Sequence, residues 1–364
     1  MRSLLVILAA GALLGASCAP GAAPAAPAAR EATPAAPAPA ASQAPAAAAS
    51  AAPAAPIAMK ASYSAFSMSQ EPIAIAKQAG YFEEEGLDVE VVSIRSSAQN
   101  AAALLSGEVD VSTIGGVGPV RARLGGSDLL FIAGSKNYFA GSIVARPDIT
   151  TPADLRGKRI GITAPGGNTD LMARSVLPKF GLEAGRDVVL FATGSDPETV
   201  AALVASGIEA GSMTPPADDR ARNAGFPTLI DVTAQRIPYP AAALGTTGAT
   251  IASRGDALER YIRAYAKAIA RYRSDKDFAL QVAVDFLRSD DRAANSEAYD
   301  IELALMQPDM DLPLAAIQGT LDLIKADDPR AAEAHPEDFV DLRIQHKLKE
   351  SGYFDRLAAE MPAH

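Results

Sequence analysis

The chain reads as a two-lobed α/β protein with a helical C-terminal region, and three observations carry that reading. Strand and helix patterns alternate from Met59 onward, the alternation restarts after Arg146-Pro147, and residues 58 to 364 exceed what one compact core usually holds. Alternating or β-branched runs bounded by turn residues mark the strands, and apolar spacings of three and four mark the helices.

In the first lobe, Met59 to Ala65 forms a strand and Ile73 to Ala79 a helix stopped by Gly80. Tyr81 to Gly86 turns into a strand over Asp88 to Ile94, where Val89 and Val91 face opposite to Glu90 and Val92. A helix over Ala98 to Leu105 ends at Ser106-Gly107 and leads to a strand, Val109 to Ile114. A helix over Val117 to Leu124 and strands at Leu129 to Ala133 and Ser142 to Ala145 complete the unit.

The second lobe opens with Thr151 to Lys158, then a strand at Arg159 to Thr163 and a helix from Thr169 to Phe180. Val188 to Ala192 is a strand, Glu198 to Ala205 a helix, and Gly211 to Thr214 and Thr228 to Val232 are strands. The return runs through Ala242 to Ile251, and from Asp256 onward the chain reads as helices, the first amphipathic from Leu258 to Arg273. Lobe 1 is therefore expected at 58–146 and 245–364, and lobe 2 at 147–244. An internal echo supports duplicated lobes. Leu104-Leu105-Ser106-Gly107 precedes Asp110-Val111-Ser112-Thr113, and one hundred residues later Val204-Ala205-Ser206-Gly207 precedes Ala210-Gly211-Ser212-Met213.

The N-terminal segment carries separate information. Met1-Arg2 and the apolar run Leu4 to Leu14 have the charged start and short apolar core of an export signal, too short to span a bilayer. Residues 1–17 are expected to be removed. Gly15-Ala16-Ser17-Cys18 resembles a bacterial lipobox, in which the cysteine is lipidated; Gly15 stands where leucine is usual, with Leu14 one place earlier. The alternative is an ordinary export signal with Cys18 incidental. From 18 to 57 the chain is almost entirely Ala and Pro, a composition that supports neither a continuous helix nor a core, and it reads as a disordered tether with a reach of roughly 100 Å.

Bulk chemistry excludes several classes. A net charge of −10 disfavours nucleic acid and broad attachment to anionic lipid. Cys18 is the sole cysteine, so the lobes have no disulfide, thiolate nucleophile or cysteine metal site. The three histidines, His335, His346 and His364, fall in the last thirty residues, away from any cleft between the lobes. There is no Gly-x-Ser-x-Gly elbow, and the acidic pairs have no diagnostic spacing. No catalytic residue, cofactor or metal is expected.

Three segments resemble one family: Ile75-Ala76-Lys77-Gln78-Ala79-Gly80-Tyr81-Phe82-Glu83-Glu84-Glu85-Gly86-Leu87-Asp88-Val89, Ser106-Gly107-Glu108-Val109-Asp110, and Asp154-Leu155-Arg156-Gly157-Lys158-Arg159-Ile160-Gly161. These are similar to substrate-binding proteins of nitrate-, sulfonate- and taurine-type ABC importers, related to binding proteins for thiamine-pyrimidine precursors. The resemblance covers most of Met59 to Val284 and implies the type II periplasmic-binding-protein fold, with a ligand cleft between two lobes joined by two crossing segments. It also implies a small-molecule ligand, an ABC permease in the cytoplasmic membrane as partner, and a monomer. With Cys18, the expected location is outside the cytoplasmic membrane, lipid-anchored or periplasmic. The alternatives are an exported enzyme or a ligand-sensing module on the same scaffold. The cysteine-rich motif and histidine of the related pyrimidine-synthesising enzymes are missing.

Such folds bind ligands beyond the carboxyl ends of the strands. That places Ser64, Phe66, Ser67, Met68, Ser69 and Gln70 in the first loop, offering hydroxyls to an anion and an aromatic face. Gly115 and Gly116 open one helix, and Gly166, Gly167, Asn168 and Thr169 another, so their backbone N–H groups are candidate anion donors; capping alone is the ordinary alternative. Asn137, Tyr138, Met213, Thr214 and Pro215 stand at further strand ends, and Arg95 is the candidate to neutralise an anion. A small organic or inorganic anion (sulfonate, nitrate, carboxylate or pyrimidine-like) is the expected ligand. Replacing Cys18→Ala is expected to move the protein from the membrane pellet to the soluble fraction on ultracentrifugation, and continued membrane retention would contradict lipidation.

Overall fold

A computed structural model describes residues 55–361, Arg95 excepted, so Cys18, most of the tether, Arg95 and His364 lie outside the described residues. The first sheet contains β1 (Ile57–Tyr63), β2 (Leu87–Ser93), β3 (Val111–Ile114), β4 (Leu129–Tyr138) and a late strand that returns to it. The second contains β5 (Ser142–Ala145), β6 (Arg159–Ile162), β7 (Val189–Ala192), β8 (Ala210–Met213) and β9 (Thr228–Asp231). The late strand, β10 (Pro238–Thr247), inserts into the first sheet. The orders are β2-β1-β3-β10-β4 and β7-β6-β8-β5-β9, so the same plan is used twice.

In each sheet one strand runs against the others. β10 is antiparallel to β3 and β4, and β5 is antiparallel to β8 and β9. In both cases it is the strand that has just arrived from the other lobe. The chain is thus already in the second sheet at Ser142 and back in the first at Pro238, ahead of the expected boundaries at 147 and 245. Arg146-Pro147 marks the end of β5 rather than a change of lobe. The internal echo falls on the matching helix-to-strand passages of the two lobes, into β3 and β8.

Helices cover the sheets. The first lobe uses α1 (Pro72–Gln78), α2 (Tyr81–Glu84), α3 (Ser97–Ser106) and α4 (Val117–Leu124); the second uses α5 (Asn168–Val176), α6 (Asp196–Val204) and α7 (Ala217–Asn223). The C-terminal region adds α8 (Gly248–Ser274), α9 (Lys276–Phe286), α10 (Arg292–Leu303), α11 (Leu314–Ile324), α12 (Arg343–Glu350) and α13 (Tyr353–Glu360). Local signals explain several termini. Pro72 starts α1, where its missing N–H costs nothing, and Gly107 takes φ 74° at the end of α3, a conformation that glycine adopts freely. The apolar stripe of α8 buries Leu258, Tyr261, Ile262, Tyr265 and Ile269 against Ile73, Ile75, Phe82 and Leu87, with Phe82 stacked on Tyr261.

The two crossings, 139–141 and 232–237, lie side by side. Val232 and Thr233 donate backbone N–H bonds to the Gly141 carbonyl at 3.1 and 3.2 Å, and Gly141 N–H donates to Thr233 Oγ1 at 2.9 Å. Gly141 has φ 139°, and a Cβ there would come within 2.2 Å of the Met213 carbonyl, so only glycine allows this approach. Phe139 and Tyr239 stack across the crossings with ring centroids 4.1 Å apart and planes 8° from parallel, both rings buried. Phe139→Ala is expected to cost about 3 kcal/mol in urea-induced unfolding through the cavity it leaves, and a loss under about 1 kcal/mol would show that the stack is dispensable.

Candidate functional site

The loop after β1 is organised from within. Gln70 Oε1 accepts from the N–H groups of Ser64 at 2.8 Å and Ala65 at 3.1 Å, while its Nε2 donates to Ser64 Oγ at 3.0 Å. Ser67 and Ser69 hydroxyls bond each other at 2.9 Å. Gln70 is therefore the brace of the loop. Met68 is enclosed in the first-lobe core and presents no surface to a solute, which corrects its expected place at the site. Phe66 remains half-buried, packed on Tyr63 and Phe286, with the Arg288 guanidinium 4.5 Å above its ring.

The residue after this loop, Glu71, is fully buried, and neither carboxylate oxygen has a hydrogen-bond partner. Burial holds its pKa well above the usual carboxylate range. In the amino-acid pattern Glu71 is an acid just before the helix-starting Pro72, with nothing to mark it as buried. The structure shows no side-chain cap bond from Glu71.

At the first glycine loop, the hydroxyl of Tyr239 lies against the backbone N–H groups of Gly116 and Val117. A Cβ on Gly115 would stand 2.9 Å from that oxygen, and one on Gly116 only 2.6 Å from the Pro240 ring. Tyr239 of β10 thus stands against part of the backbone expected to face an anion, and the glycines permit that close approach. Burial pushes the Tyr239 phenol well above its ordinary pKa, so it stays protonated.

In the second glycine loop, two of the expected donors are engaged internally: Gly166 N–H donates to Asp170 Oδ2 at 2.8 Å and Gly167 N–H to the Ala164 carbonyl at 3.0 Å. Thr169 Oγ1 accepts from the Thr163 N–H at 2.8 Å. Gly167 occupies the N-cap position, and Asn168 begins α5 with a buried Oδ1 that has no partner. Asn168 thus keeps an unused side-chain acceptor, at the helix start where its backbone N–H and that of Thr169 point out of the first turn.

At the end of β8, Met213 is enclosed in the second-lobe core, so its expected apolar surface is not presented. Thr214 Oγ1 donates to Asp196 Oδ2 at 2.5 Å, and Pro215 precedes a cis peptide bond to Pro216. Asp218, just beyond, accepts from Ser142 Oγ at 2.9 Å. At the end of β4, which extends five residues past its expected limit, Asn137 Nδ2 donates to the Asp311 carbonyl at 2.8 Å and its Oδ1 is unpartnered. Tyr138 sits half-buried beneath the Arg236 guanidinium, 5.1 Å from its ring centre. Neighbouring Lys136 forms a buried ion pair with Glu302 of α10. His335 and His346 lie in the C-terminal region, at a 3-10 turn and on α12.

Phe66, Ser67, Ser69, Asn137 and Tyr138 thus follow or end strands of the first sheet, and Asn168 and Asp196 follow strands of the second. Comparison with known proteins matches this architecture. The family model described as NMT1/THI5 like matches residues 68–277. A binding protein of Brucella abortus (strain 2308) is 28% identical over 149 residues, 41% of this chain, and the match spans 44% of that relative. The alkanesulfonate-binding protein of Xanthomonas axonopodis pv. citri, bound to MOPS, superposes with a TM-score of 0.64 at 20% identity, covering 79% of this chain and 99% of that one. The periplasmic nitrate-binding protein of Synechocystis PCC 6803 gives a TM-score of 0.65 at 16% identity, covering 84% and 91%. The fold is that of the periplasmic binding proteins, with two mixed sheets in α/β lobes and a helical C-terminal region.

Burial raises the pKa of Asp196 to about 6, against the opposing hydrogen bonds from Thr214, and raises that of Asp218 to about 6, against the bond from Ser142. Both groups hold a proton more tightly folded than unfolded. Below about pH 4 both states are protonated and no penalty exists; from about pH 4 to 6 the folded state binds more protons, so stability falls as pH rises; above that window the loss is complete. Asp196→Asn is expected to flatten this fall in urea titrations between pH 4 and 7, and an unchanged slope would contradict the assignment.

Proposed function

Because this chain belongs to the NMT1/THI5-like family, we propose that it is an extracytoplasmic solute-binding protein that captures a small anion between its lobes and delivers it to an ABC importer without chemical turnover. The observation that carries this reading is the doubled sheet plan with two adjacent crossings, which lets two rigid lobes close on a solute by bending short segments. Contacts from both lobes then stabilise the closed form that a permease recognises. Alkanesulfonate and nitrate are named as the ligands of two proteins with this fold, which supports an anion here. Lipidated Cys18 and the Ala/Pro tether would keep the lobes near the membrane.

At the strand ends Phe66 and Tyr138 would flank the apolar part of a sulfonate or carboxylate, with Ser67, Ser69 and Arg95 serving its anionic end.

Isothermal titration calorimetry, on protein shown by native mass spectrometry to be free of co-purified solute, tests this reading, with one-to-one binding of propanesulfonate or nitrate as the expected outcome. No binding by sulfonates, nitrate, carboxylates or pyrimidines would overturn solute capture.

A further inference from the structure

We propose that α7 of the second lobe and α10 of the first form a latch, in which Arg220 and Arg222 hold the lobes closed and so act as positioning residues for solute capture. The inference rests on the solute-binding reading. Arg222 Nη2 reaches Glu297 of α10 at 2.7 Å while also contacting Asp219 and lying 3.7 Å from Asp218. Arg220 contacts the Ser289 hydroxyl and lies 3.9 Å from Asp291, both in the segment that leads into α10. Basic groups on one helix thus face acidic and hydroxyl groups on the other, across the gap between lobes.

Each side of the contact is anchored in its own lobe. Ala217 and Ala221 of α7 are buried in the second-lobe core, and Asp218 is bonded to Ser142 of β5. On the other side, α10 is tied to β4 by the buried Lys136–Glu302 pair and to α8 by Tyr299 Oη donating to the Tyr272 carbonyl at 2.6 Å. Asp291 caps α10 by accepting from the Ala294 N–H at 3.1 Å, and Asn295 Nδ2 donates to the Ser289 carbonyl at 3.0 Å, so the receiving surface is preformed. A groove of about 310 Å³ separates Ile301 of α10, with Ala304 and Leu305 just beyond its end, from Thr233, Ala234 and Arg236 of the return crossing, leaving room for the helix and crossing to shift.

The energetics suit a reversible contact. Asp218 and Asp219 keep Arg222 oriented when the lobes part, so closing costs little side-chain freedom. The receiving carboxylates are solvated, with the Glu297 side chain 52% exposed and that of Asp291 44% exposed, so each pair is weak enough to release.

The test reads lobe separation directly and needs no solute. In the full chain carrying Cys18→Ser, spin labels at Leu105→Cys and Val204→Cys, both exposed and in different lobes, report the distance by double electron–electron resonance. Glu297→Lys is expected to lower the short-distance population roughly two- to fivefold, Arg220→Gln to act in the same direction, and Glu297→Asp to retain most of it. High salt should reproduce the shift in the parent protein and add little in Glu297→Lys. A distance distribution unchanged in Glu297→Lys, with far-ultraviolet circular dichroism confirming the fold, would overturn the latch. Failure of solute capture would instead appear as absent binding in calorimetry, with these distances unaffected.

Discussion

Phe139 stacked on Tyr239 ties together the two strands by which the chain passes between its sheets. Because both rings are buried and nearly parallel, the outgoing and returning crossings behave as one strap, reinforced by the bonds among Gly141, Val232 and Thr233. Tyr239 does a second job, placing its hydroxyl against the N–H groups of Gly116 and Val117 at the start of α4. The strap is thereby locked into the first lobe at the strand ends where a solute would sit. Glycines that look like an anion cradle are spent on this junction.

That junction explains much of the chemistry around it. Tyr239 lies against the Gly116 and Val117 N–H groups in the first lobe, and Asp170 accepts from the Gly166 N–H in the second. Among buried side-chain atoms of the described residues near these strand ends, Asn137 Oδ1, Asn168 Oδ1 and Asp196 Oδ1 have no hydrogen-bond partner. The buried Lys136–Glu302 pair fixes α10 beside the same strand that enters the crossing, so the C-terminal helices report on lobe position as well as completing the core.

Most elements were legible in the amino-acid pattern because they depend on local signals. The helix from Val117 to Leu124 and the strand from Ser142 to Ala145 occur as expected, and the alternating exposure of Leu87 to Glu90 follows the predicted strand faces. Lobe membership was not legible to the same degree. β5 looks like the last strand of the first lobe yet pairs in the second sheet, while the return strand read from Ala242 is in the first sheet as expected but begins at Pro238; pairing is a long-range property that local composition does not encode. The site was legible in position and less so in role. Ser64 and Gln70 are at the strand end as expected but satisfy each other, Met68 and Met213 point into cores, and Glu71 and Tyr239 carry no motif that distinguishes them from a cap and a core aromatic.

The account stands on two lobes that pivot about the Phe139–Tyr239 strap to enclose a solute. Small-angle X-ray scattering of the protein, recorded with and without a solute that calorimetry shows to bind, tests this most directly. A fall in the radius of gyration on binding, with the scattering profile shifting toward a more compact particle, is the predicted result. Saturating solute that leaves the profile unchanged would contradict capture by lobe closure.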